Sequence, residues 1–277
     1  MLSFRGLDAV RFSSPDGQSS AQVLLHGATL VSYVVRGREL LFVSSKAVFD
    51  GKKAIRGGVP LCFPLFGPPS AQHYKLTQHG FARTSLWSVV SSDASSVALE
   101  LRSSDATRAL WPFEFRVVFT ASLSNTALLT RFETENTGAN PFDFSFCFHA
   151  YFAVTSLTTT RIAGLGGLKF IDNARNRVVC DQVDADVRVT AKIDNIYVGA
   201  PSRVRLHDGE SVVTVESVGT NNLIVWNPGA EDAAKLADLG DGEFEQFVCV
   251  EPAHTVPNPF HLCAGQRVAT EHTISLA

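Results

Sequence analysis

From Phe142 to Phe148 every even-numbered position is phenylalanine, while the odd positions through residue 151 read Asp143, Ser145, Cys147, His149 and Tyr151. Alternation this strict has the two-residue period of a β-strand with unlike faces; on a helix the same rings would scatter around the circumference. One face of Phe142–Phe152 is therefore expected in an aromatic core, and the other carries polar groups that end in an imidazole. A histidine at the end of a core strand is held rigidly. That suits a packed ring bonded to a carbonyl, and it also suits a group that transfers protons.

Short extended runs separated by turn residues fill most of the remaining chain. Thr29–Val35 and Arg38–Val43 flank Arg36-Gly37, and Leu86–Ser91 and Val97–Ser103 flank a Ser/Asp turn. Glu114–Leu123 and Ala127–Asn136 flank Ser124-Asn125-Thr126, a hairpin signal. Arg203–His207, Ser211–Val218, Leu223–Trp226, Phe247–Glu251 and Arg267–Ser275 follow. The pattern predicts an all-β fold, an antiparallel sandwich or barrel. Helices are few and short: Asp105–Leu110, and Glu231–Leu239 between Pro228-Gly229 and Gly240. Gly164 to Gly199 is the least regular region and is expected to hold long loops. No repeat or linker divides the chain, which predicts one domain over residues 1–277.

A chain of 277 residues that is 45% hydrophobic can bury a large core. Its net charge of -3 implies no polyanion-binding surface, so a nucleic acid is not an expected partner. No apolar run approaches membrane-spanning length, and Met1 to Phe12 lacks the apolar core of a signal peptide. The five cysteines are odd in number with no Cys-x-x-Cys pair, which predicts reduced, buried thiols and a cytoplasmic protein. There is no His-x-His, no His-Glu-x-x-His and no nucleotide-binding glycine loop, so neither metal nor cofactor is expected. The sequence does not fix the oligomeric state; a monomer is favoured.

Four further stretches carry chemistry. Ile55 to Pro69 combines glycine and proline with apolar residues, the composition of a loop of fixed shape. Its Arg56, beside Gly57-Gly58, reads either as an anion ligand or as a surface arginine near a turn. Gln78-His79-Gly80-Phe81-Ala82-Arg83 packs an amide, an imidazole and a guanidinium into six residues, donors for hydroxyls and for phosphate or carboxylate. Trp226-Asn227-Pro228 offers an aromatic face for a sugar ring or for the core. In Phe247-Val248-Cys249-Val250-Glu251-Pro252, alternation puts Phe247, Cys249 and Glu251 on one face. Glu251 then ends an apolar strand, as a buried acceptor or as a general base.

In this order along the chain, Ile55–Phe66, Gln78–Arg83, Phe148-His149-Ala150-Tyr151-Phe152, Trp226-Asn227-Pro228 and Val248–Pro252 resemble the aldose 1-epimerase (galactose mutarotase-like) superfamily. They are most similar to its hexose-6-phosphate branch, the glucose-6-phosphate 1-epimerases. The resemblance implies a large antiparallel β-sandwich with the site on one sheet. It also implies a catalytic pair at His149 and Glu251, with substrate-binding positions at Arg56, Gln78, Arg83 and Asp194. His79 would be a further sugar contact. Asp186 and Asp184 remain alternatives for the aspartate. The implied reaction is exchange of the α and β anomers of a hexose 6-phosphate, with Glu251 as base and His149 as acid. Rival readings are a mutarotase acting on unphosphorylated aldoses, a non-catalytic carbohydrate-binding sandwich, and a glycoside hydrolase. Hydrolysis usually needs two carboxylates across the bond, and here the partner of Glu251 is a histidine.

Overall fold

The computed structural model describes residues 2–69, 75–255, 257 and 259–277. Two large antiparallel sheets face each other. The nine-stranded sheet runs Asp186–Arg188, Arg161–Ala163, Arg203–Asp208, Ser211–Val218, Arg267–Leu276, Leu128–Asn136, Phe115–Leu123, Ser96–Arg102 and Ser88–Ser92. The eight-stranded sheet runs Val178–Asp181, Lys169–Asp172, Ile193–Val198, Asn222–Asn227, Phe247–His254, Phe146–Phe148 and Leu61–Cys62, with Tyr151–Ala153 also pairing with Phe247–His254. A five-stranded sheet from Leu2–Phe4 to Arg38–Glu39 is tied in by single bridges at Leu30–Val59, Leu41–Phe152 and Val43–Gly57. This is the antiparallel all-β sandwich expected from the turn-separated runs.

The two large sheets close over phenylalanine. Phe115–Leu123 alternates buried and half-buried along its whole length, so every second side chain enters the shared core. Phe132, from the nine-stranded sheet, stacks on Phe146 with ring centres 4.0 Å apart, and Phe146 meets Phe148 edge-on at 4.7 Å. The other face of the eight-stranded sheet gathers Cys62, Cys147, Ile196, Ile224 and Ala253. The phenylalanine alternation thus separates core from site, although the run is not one strand. It is split into Phe142–Phe144, Phe146–Phe148 and Tyr151–Ala153, with breaks at Ser145 and His149. At both breaks the Gly/Pro segment takes over the hydrogen bonds. Ser145 N–H donates to the Pro64 carbonyl and His149 N–H to that of Pro60, each at 3.0 Å. The Ser145 hydroxyl in turn accepts from Phe66 N–H at 2.7 Å.

Gly57 and Gly58 meet a demand of backbone packing. Both hold positive φ, and an added Cβ would stand 2.3 Å from the Phe42 carbonyl oxygen and 2.2 Å from that of Leu30. They let this segment lie against two neighbouring strands, where any side chain would collide.

Other expectations need correction. Gly164–Gly199 holds four short strands, Lys169–Asp172, Val178–Asp181, Asp186–Arg188 and Ile193–Val198, with Arg161–Ala163 just before it. Runs of three to six residues with exposed valines such as Val178 and Val179 leave almost no period to read. Asp105–Leu110 is helical as expected, capped by Ser104. The second helix spans Gly229–Ala233, not Glu231–Leu239, because past Ala233 the bonds tighten to i→i−3 turns. The strand carrying Glu251 does not stop before Pro252 but continues to His254, with Pro252 opposite Leu223. Of the cysteines, Cys62, Cys147 and Cys249 are buried, Cys180 is half-buried and Cys263 is exposed. Among the described residues no helix is long and apolar enough to cross a membrane.

Candidate active site

His149 and Glu251 meet on the outer face of the eight-stranded sheet. The short strands on either side of His149 both pair with the strand that carries Glu251, since Tyr151 is opposite Cys249 and Cys147 opposite Ala253. His149 Nδ1 and Glu251 Oε1 are 3.3 Å apart, with His149 8% exposed and Glu251 1%. The contact lies off the hydrogen-bonding direction, so Nδ1 has no hydrogen-bond partner. The second carboxyl oxygen, Oε2, accepts from the Cys147 thiol at 3.2 Å. Burial pushes that thiol well above the usual range, which keeps it a donor.

The same burial acts oppositely on the pair. It pushes Glu251 well up, with the Cys62 and Asp194 charges adding to it and the Cys147 bond opposing. It pushes His149 well down, helped by His79, Arg83 and Arg56. The site therefore favours the neutral forms of both groups.

Aromatic rings wall the pair. Tyr151 stacks on His149 at 4.8 Å and an 8° tilt, while Trp226 and His79 present edges to it at 5.7 and 5.5 Å. Trp226 thus belongs to the site, and its neighbour Asn227 belongs to the frame. The Asn227 amide donates to the carbonyls of Phe244 and Phe247, and its oxygen accepts from Gly229 N–H.

The turn from Gln78 to Arg83 brings its three polar residues together. Gln78 Nε2 lies 3.2 Å from His79 Nε2, Arg83 Nη2 donates to the Gln78 carbonyl at 2.7 Å, and His79 Nδ1 accepts from Gly67 N–H. Arg83 Nε is buried without a partner, and no carboxylate among the described residues stands within ion-pair distance of Arg83. Arg56 is differently placed. Its Nε is paired with Asp238 at 3.1 Å and its Nη1 donates to the Tyr151 hydroxyl at 3.2 Å.

Asp194 sits on the site sheet opposite Trp226, accepts from Asn173 at 3.1 Å, and has its pKa raised by burial. Asp186 lies in the nine-stranded sheet, paired with Arg161. A cleft of about 620 Å³ beside Asp194 is lined in part by Phe66, Ser145, Asn173, Arg177 and Ile196. A larger cavity of about 890 Å³ borders the helix Gly229–Ala233 and is lined by none of the converging groups.

Sequence reasoning left Cys147, Tyr151 and Asp238 without roles. Alternation puts Cys147 and Tyr151 on the polar face, but the thiol's partner is distant in sequence. Asp238 lies in an irregular segment with no pattern to mark it. Reading ligand spacing along the chain also missed a cross-strand group: His149, Cys249 and Glu251 each present one donor atom, all within 4.8 Å of one another.

A two-sheet sandwich with a buried imidazole–carboxyl pair on one outer face, walled by aromatic rings, defines a protein of the mutarotase type. The aldose 1-epimerase family model matches residues 8–275, and the chain belongs to this family. A Cenchrus ciliaris protein named as a candidate glucose-6-phosphate 1-epimerase is 36% identical over 263 residues, 89% of this chain and 78% of that one. An Escherichia coli K12 protein of the same name is 33% identical over 288 residues, covering 97% and 94%. The crystal structure of a candidate mutarotase from Salmonella typhimurium superposes with a TM-score of 0.89 at 29% identity, covering 99% of this chain and 92% of that chain.

Proposed function

We propose that this protein interconverts the α and β anomers of a hexose 6-phosphate, glucose 6-phosphate first, with His149 and Glu251 as the acid–base pair. The observation that carries the reading is that pair, 3.3 Å apart and buried at the end of a phenylalanine-backed strand. The names of the plant and bacterial relatives support the substrate class.

Anomer exchange requires the hemiacetal ring to open. Glu251 as carboxylate takes the proton from the C1 hydroxyl, the bond from C1 to the ring oxygen breaks as C1=O forms, and protonated His149 gives its proton to the ring oxygen. Rotation about C1–C2 presents the other face of the aldehyde, and the two groups exchange roles to close the ring. With the ring open, Glu251 is a neutral acid and His149 a neutral imidazole. Those are the forms that burial favours here, so desolvation assists the two transfers that open the ring and works against the reverse transfers that close it. Each such group typically contributes about 10²–10⁴ in rate.

Arg83 is the phosphate ligand in this reading, because among the described residues its guanidinium has no carboxylate partner and its buried Nε is unsatisfied. Arg56 shares the positive field around His149 while holding Tyr151 against it. Gln78, His79 and Asp194 face sugar hydroxyls.

Starting from one pure anomer of glucose 6-phosphate, the protein should speed the approach to equilibrium above the spontaneous rate; an unchanged rate removes the activity. A hydrogen bond to a charged group contributes roughly 1.5–3 kcal/mol, which is about 10- to 100-fold. Arg83→Ala should lower kcat/KM for glucose 6-phosphate by that factor and leave residual activity on free glucose nearly unchanged. Equal losses on both substrates would make Arg83 a structural residue. A wild type that prefers free glucose would sink the phosphate assignment.

Both proton transfers use the chain's own groups and no electron changes hands. Prolonged EDTA treatment should therefore leave kcat unaltered. Activity lost on chelation and restored by a divalent ion would contradict this mechanism.

A further inference from the structure

We propose that His149, Cys249 and Glu251 form a binding site for a thiophilic divalent cation, zinc above all, whose occupation shuts the active site. Cys249 and Glu251 share one strand, His149 sits in the break between the two short strands paired with it, and the three donors lie within 4.8 Å of one another. His149 Nδ1 is buried and has no hydrogen-bond partner. Two nitrogen or oxygen ligands bound at 2.0–2.1 Å to a tetrahedral zinc stand about 3.3 Å apart, and Nδ1 and Oε1 are 3.3 Å apart.

The carboxyl is already divided for such a role, because Cys147 occupies Oε2 and leaves Oε1 facing the imidazole. A thiolate and an imidazole select zinc over magnesium or calcium, which prefer oxygen ligands. Three protein ligands leave the fourth position open to water or a sugar hydroxyl. Thiolate and carboxylate together neutralise the dication, which limits its repulsion by Arg56 and Arg83. Binding releases the Cys249 proton, and any proton on Glu251, to solvent; no redox step is involved.

Inhibition follows because the ion ties up both groups of the proposed acid–base pair. That consequence rests on the catalytic reading; the binding itself does not.

The test uses the full chain in a non-chelating buffer. Zinc should abolish catalysed anomer exchange, magnesium at equal concentration should not, and EDTA should restore the rate. Cobalt(II), as a spectroscopic probe for zinc, should give a thiolate-to-metal absorption band in the near ultraviolet. Cys249→Ser should keep basal turnover, need at least about 10-fold more zinc for half-inhibition, and lose the band; 10-fold corresponds to about 1.4 kcal/mol.

Cys263→Ser is the control, since Cys263 is exposed and its sulfur lies 3.8 Å from His261 Nε2. It should change neither the band nor the inhibition. A band that survives Cys249→Ser, or that disappears with Cys263→Ser, puts the ion elsewhere and overturns the proposal, as does the absence of a band in wild type. Should Cys249→Ser fail to fold, the wild-type and Cys263→Ser spectra still decide. Should the protein lack anomerase activity, the cobalt band still tests the site, so the two readings fail separately.

Discussion

Glu251→Gln is expected to lower kcat for anomer exchange by at least about 10²-fold while the protein stays folded. Glutamine keeps nearly the same shape and retains an oxygen to accept from the Cys147 thiol, but it cannot take the proton of the C1 hydroxyl. Stability should not fall with activity. Glu251 is 1% exposed, and burial already works against its charged form. An uncharged amide removes that cost, so the melting temperature should hold or rise, as expected where a site is kept for function at the expense of stability. His149→Ala should show a loss of similar size. The measurements are anomer-exchange kinetics and thermal unfolding on the same preparations. Near-normal turnover in either well-folded variant would take that residue out of the mechanism.

The parts of this site that could be read from the sequence are those set by strand period. Alternation through Phe142–Phe148 separated core from site, and alternation through Phe247–Glu251 put Cys249 and Glu251 on one face. Both separations are present in the structure, with Val248 and Val250 in the main core and Cys249 outside it. Alternation could not show that the phenylalanine run breaks twice, because the breaks are made by carbonyls of Pro60 and Pro64 far back in the sequence. It also could not rank the two arginines. Arg56 and Arg83 look alike as residues beside glycine-containing turns, but Arg56 bonds the Tyr151 hydroxyl and Asp238, the latter about 180 residues away in the chain, while Arg83 donates to the nearby Gln78 carbonyl. The strands of Gly164–Gly199 were missed for a third reason: each is too short, and too exposed at positions such as Val178, for burial to leave a repeating mark on it.

Phe146→Ala should do the reverse of Glu251→Gln, lowering stability by about 3–5 kcal/mol and sparing the chemistry. Phe146 is fully buried between the sheets, stacked on Phe132 at 4.0 Å and edge-on to Phe148 at 4.7 Å. Removing the ring loses its transfer free energy and leaves a cavity that two rigid sheets can only partly close. The ring faces away from the site, and its neighbour Cys147 makes the bond to Glu251 from the opposite face of the same strand. That strand is held at its far end by His149 N–H on the Pro60 carbonyl, a bond the substitution does not touch. At a temperature well below its lowered melting point, the variant should keep kcat within a few-fold of wild type. Urea unfolding should show the midpoint falling with little change in slope. A 10²-fold loss of kcat in folded Phe146→Ala would mean that the core face sets the geometry of the His149–Glu251 pair, and that the two faces of this strand do not act independently.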